Sequence, residues 1–131
     1  MKIIVAAVCL TAAFSLPAIA ADTCPNGQIA IIRVSTLKAT GTRAGFDKAV
    51  QDQIAWYRGK GITTNKIVEA DVIDYSAGKA SVSTKEVVSV HYNPPAASGK
   101  QPTPDDGYKA FVKEFRDNSD ITTEKFACLP K

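Results

Sequence analysis

Two cysteines, Cys24 and Cys128, stand near opposite ends of the segment that can fold, and a bond between them forces the first and last elements side by side. A third, Cys9, falls inside MKIIVAAVCLTAAFSLPAIA. There a basic start at Lys2 precedes an apolar run from Ile3 to Leu16, a break at Pro17 and small residues at Ala18 and Ala20. That layout predicts a secretory signal peptide over residues 1–20, cleaved between Ala20 and Ala21, and a single domain over 21–131. The apolar run is too short and wrongly flanked for a membrane anchor, and no second one follows. In a periplasmic or secreted protein the remaining pair is expected to form a structural disulfide. Closing a loop of roughly 100 residues stabilises by about 4–5 kcal/mol in the chain-entropy account. A redox or metal-binding pair is the alternative, but no CxxC spacing occurs.

Charge narrows the partners. The 131 residues include 16 Lys and Arg against 13 Asp and Glu, and only Lys2 departs with the signal. The rest is nearly balanced, with no cluster of basic residues of the kind phosphate binding needs, which excludes nucleic acid from the expected partners.

Between the cysteines the hydrophobic period switches repeatedly. QIAIIRVS (28–35) alternates as a strand. From Thr42, Phe46, Ala49, Val50, Ile54 and Tyr57 recur at helical spacing, with Trp56 at the margin, until Gly59 and Gly61 supply a stop. NKIVEADVIDY (65–75) reads as a strand, SAGKASVS as a turn, and TKEVVSVHY as the returning strand. After a proline-rich loop (93–104), Thr103 as N-cap, Pro104 at the first helical position and Asp105 and Asp106 in the first turn predict a second helix. Its apolar stripe is Tyr108, Phe111, Val112 and Phe115. DITTEKFACL (120–129) is a last strand.

The order is β-α-β-β-α-β, an α+β fold of the ferredoxin-like kind: a four-stranded antiparallel sheet with two helices on one face. First and last strands are then neighbours, which places Cys24 beside Cys128. A looser α+β sandwich with another strand order is the runner-up. The apolar set Ala30, Ile32, Val34, Val68, Ala70, Val72, Val88, Val90 and Tyr92 is expected under the helices. The mixed set Ile29, Ile31, Arg33, Glu69, Asp71, Ile73, Tyr75, Val87, Ser89 and His91 is expected on the open face, where its apolar members call for a cover.

The first strand, a helix ending in AWYRGKG, a long hairpin and a second helix together resemble the dimeric α/β-barrel superfamily. That superfamily includes small monooxygenases of the antibiotic-biosynthesis type and several stress-related groups. The resemblance implies two protomers packed through their open sheet faces, and a pocket between sheet and helices for an apolar substrate or a haem. It assigns no catalytic residue here.

Candidate site residues follow from the only histidine, His91. If paired residue numbers sum to about 160, Glu69 lies directly opposite it; a register two residues tighter puts Ile67 there and Glu69 diagonal, still within reach. Arg33 on a neighbouring strand completes the polar group. A carboxylate holding one imidazole nitrogen frees the other for proton transfer; equally, the three side chains can satisfy one another and do no chemistry. Asp71, Tyr75, Ser89 and Trp56 are candidate pocket residues, with Trp56 able to close a core instead. One histidine and no free cysteine give no expectation of a metal or other cofactor, and GxSxG, P-loop, HExxH and GxGxxG motifs are absent. The expected function is a homodimer that buries its open sheet face and holds a small, partly apolar molecule without turnover. The alternatives are a cofactor-independent monooxygenase-type enzyme using His91 and Glu69, and an envelope module whose open face meets another protein.

Overall fold

A computed structural model describes residues 23–131; the signal peptide read at residues 1–20 lies outside the described residues. The period switches become β1 (Gln28–Leu37), α1 (Arg43–Gly59), β2 (Lys66–Ser76), β3 (Lys79–Tyr92), α2 (Asp106–Asn118) and β4 (Ser119–Leu129). The strands form one sheet in the order β2-β3-β1-β4, with every neighbouring pair antiparallel. This is the ferredoxin-like α+β fold, and it joins the ends as the cysteines require: Ile29 pairs with Cys128, and a Cys24–Cys128 disulfide closes the domain.

Helix α1 begins where Thr42 accepts the Gly45 N–H at 2.9 Å, and it buries Phe46, Ala49, Val50, Trp56 and Tyr57. Both helices lie over one sheet face, because Phe46 and Val50 of α1 and Phe115 of α2 pack on Val87, with Leu37 and Ile67 at their flanks. Trp56, Tyr57 and Phe111 form a second cluster nearer the α1 C-terminus. The start of α1 fits tightly against the end of α2: a Cβ on Gly41 would come within 2.1 Å of the Asn118 carbonyl oxygen, while the Asn118 side chain accepts the Thr42 N–H at 2.9 Å.

Three expectations need correction. Helix α2 is capped by Asp105, two residues after Thr103, because a carboxylate that takes the Tyr108 N–H, the Trp56 indole N–H and the Lys60 ammonium outcompetes a hydroxyl. The stretch 76–83 is no long turn. Ala77 (φ 50°) and Gly78 (φ 76°) make a two-residue reversal and Lys79–Ser83 continue β3. The hairpin therefore projects past β1, whose partners in β3 run only from Glu86 to Tyr92.

The third correction concerns the two sheet faces, which are exchanged relative to the sequence reading. Under the helices lie Ile31 and His91, 2% and 4% exposed, and Val87, fully buried, on the set expected to be open. The valine-rich set faces outward: Ile32, Val34, Val68, Val72, Val88, Val90 and Tyr92 are only half-buried, and Ala70 is exposed. Ala30 of that set is buried, a single methyl flanked in the register by Tyr92 and Ala127. The physical reason is that the helices bring their own apolar material, a run of aromatic rings packed edge to face, so the sheet beneath them can afford polar residues that find partners.

Candidate functional site

The helix-covered face gathers three polar groups. At its centre His91 Nε2 lies 3.0 Å from Asn65 Nδ2. Arg58, in the last turn of α1, donates to the Asn65 side-chain oxygen at 2.5 Å and to its main-chain carbonyl at 2.7 Å. With that oxygen engaged as acceptor, the Asn65 amide presents N–H to the ring, so His91 accepts through Nε2 and carries its proton on Nδ1. Burial, reinforced by the positive charges of Arg33 and Arg58, pushes the imidazole down to about 4, which keeps it neutral in ordinary buffers. The Tyr57 ring stacks at a tilt 5.5 Å away, its hydroxyl 3.1 Å from Gln101. Burial raises that phenol.

The second group surrounds Arg43 at the start of α1. It binds Asp47 at 2.6 Å and Asp71 at 2.6 Å, and reaches Glu69 at 3.6 Å. Burial, together with the hydrogen bond and charge of Asp47, raises Glu69 to about 7 against the pull of Arg43. Arg43 keeps its charge and Asp47 stays ionised, so the carboxyl held up toward neutrality is that of Glu69. The third is the cross-strand pair Arg33–Glu124 at 2.6 Å, directly opposed in the β1–β4 register.

The tighter register is the one adopted: Ile67 opposes His91 and Glu69 opposes Ser89. The structure thus brings Glu69 and Asp71 together around Arg43, but gives His91, Glu69 and Arg33 separate partners in place of one triad. Ser89 is half-buried between Arg33 and Glu69 in the register. Trp56 belongs to the core, 8% exposed with its indole on Asp105 at 2.7 Å, and Tyr75 projects from the hairpin, 75% exposed. Neither lines the cleft at the disulfide end of the sheet, because α1 turns Trp56 onto α2 and the hairpin carries Tyr75 beyond the helices. Sequence reasoning missed Asn65 and Arg58, which no local period marks. It missed Arg43 and Asp47 as well, whose i, i+4 spacing on a helix is a signal that could have found them.

A cleft of about 420 Å³ opens beside the His91 group, at the disulfide end of the sheet. Ile29, Ile62, Pro95 and Ala97 supply apolar wall, while Thr64 and Lys100 are among its polar lining. Its frame is tied together: Asn93 donates to Gln28 at 2.9 Å and to the Thr64 carbonyl at 3.4 Å, and the cystine lies at one edge. Among the described residues no group of three His, Cys, Asp or Glu side chains is placed to hold a metal ion, and no helix is long and apolar enough to cross a membrane.

No protein-family model matches the chain, and no curated protein matches it. Among solved structures it is similar to SnoaB, a cofactor-independent oxygenase from Streptomyces nogalater, at 13% sequence identity and a TM-score of 0.45, over 80% of this chain and 95% of that one.

Proposed function

We propose that residues 21–131 form an exported, homodimeric binding module that buries its valine-rich sheet face against a second copy and holds a small, partly apolar molecule in the cleft without turnover. The observation that carries this reading is the outward face. Ile32, Val34, Val68, Ala70, Val72, Val88, Val90 and Tyr92 form a continuous apolar surface. Three strands about 4.8 Å apart and roughly seven residues long give an area on the order of 300 Å² in projection, the scale of the largest apolar patches on monomeric proteins, which are often functional.

A second copy suits it better than an unrelated protein. Lys125 of β4, level with Ile32, flanks its centre, and its rim holds Lys66 at the Tyr92 end and Glu86 at the other. A two-fold axis across the strands turns the partner end for end and sets opposite charges near one another, as an isologous contact requires. The disulfide supports export, since such bonds persist in oxidising compartments. Binding without chemistry is supported by His91, which is buried, neutral and already engaged by Asn65.

Native mass spectrometry of the protein purified from its exported compartment tests the reading in one spectrum. The expected result is a processed dimer with one intact cystine per chain and an added small mass. A bare monomer overturns it. A stable heteromer would assign the face to another protein, and steady conversion of the bound molecule would replace binding with catalysis.

A further inference from the structure

We infer that the cleft at the disulfide end selects an amphipathic anion, an apolar or aromatic body bearing one carboxylate, with Lys100 as its counter-ion. This rests on the binding reading above and adds the chemical class of the ligand. The cavity, about 420 Å³, falls within the range of small-molecule sites. Its wall is made of Ile29, Ile62, Pro95 and Ala97, which offer no hydrogen bond and suit a hydrocarbon or ring.

The polar side is cationic and donor-rich. Lys100 is exposed at the rim and its ammonium pairs with no carboxylate among the described residues, as is also true of Lys66, Lys79, Lys85, Lys125 and Lys131, none of which lines the cleft. Its main chain is fixed by the Lys100 N–H to Pro95 carbonyl bond at 2.8 Å, which holds the side chain's root at the mouth. Thr63 and Thr64, also in the lining, donate their N–H groups to no main-chain acceptor among the described residues. No acidic side chain lines the cleft. One free ammonium, two free amides and an apolar wall within a braced frame match a carboxylate at one end and an apolar body at the other.

The test is calorimetric titration of the disulfide-intact protein with 2-naphthoate and with its neutral analogue 2-naphthamide, with amide chemical shifts followed in parallel. The expected result is saturable binding of naphthoate with shifts at Ile62, Thr64, Asn93 and Lys100. Naphthamide should bind about tenfold more weakly, and Lys100→Gln should weaken naphthoate to that level, the loss expected for one charge-assisted contact. Thr63→Trp, at an exposed lining position, should block both ligands without disturbing the core. Equal affinity for the two probes, shifts elsewhere, or indifference to Lys100→Gln overturns the inference. Sedimentation of the same samples separates the two claims: a dimer that binds neither probe loses the ligand class but keeps its interface, and a monomer that binds naphthoate loses the dimer but keeps the cleft.

Discussion

His91 and Glu69 shift in opposite directions, and each leaves its own mark on stability. His91 falls from 6.5 to about 4 on folding, so its contribution is fully present above the unfolded value and is lost as pH drops from about 6.5 toward 4. Glu69 rises from 4.5 to about 7, so its contribution is present below 4.5 and is lost as pH climbs through 7. Between these limits the two slopes oppose, and the wild-type protein should show a flat profile by urea unfolding. Glu69→Gln should uncover the histidine alone, a gain on the order of 2–3 kcal/mol from pH 4 to 6.5. His91→Gln should uncover the carboxyl, with stability declining from pH 4.5 to 7. Identical profiles for the wild type and both variants would contradict these assignments. The sequence placed both residues on one face and offered the correct register as the second of two. It could not foresee that Asn65 and Arg43 would claim them, because those partners come from a strand entry and a helix start with no shared periodicity.

At the level of elements, local chemistry decides the junctions. Ala77 occupies the left-handed region at the tip of the β2–β3 hairpin, where an alanine costs about 1–2 kcal/mol. Ala77→Asn should therefore raise stability by roughly 0.5–1 kcal/mol, visible as a higher midpoint in thermal unfolding, with the hairpin register unchanged. Gly41→Ala should act the other way, since its Cβ meets the Asn118 carbonyl and must push α2 away from α1. A loss of about 1–3 kcal/mol is expected, read from the same melts. Element identity was legible because each period ran for several turns or residues. The tip was not, because Ser, Ala and Gly in 76–83 look like loop whether or not they pair. The face assignment failed for a related reason: alternation reports which residues share a face, and apolarity reports that a face is covered, but neither says by what. Here the helices, rich in aromatic rings, tolerate the polar face, and the valines lie half-buried on the outward one.

For the whole molecule, the cystine and the outward face are separable supports. Replacing Cys24 and Cys128 with serine releases the pairing that holds the start of β1 against the end of β4, and should lower stability by up to about 4–5 kcal/mol while leaving the α1–α2 core in place. Equal melts for the oxidised protein and this variant would mean the bond restrains little. The outward face should be insensitive to the cystine but sensitive to charge at its centre. Sedimentation equilibrium of residues 21–131 beside a Val88→Asp/Val90→Asp variant measures this directly. The native sequence should sediment as a dimer and the variant as a folded monomer, with circular dichroism preserved because both side chains point away from the helices. A native protein that stays monomeric at high concentration, with its valine face exposed to water, would contradict the proposed homodimer.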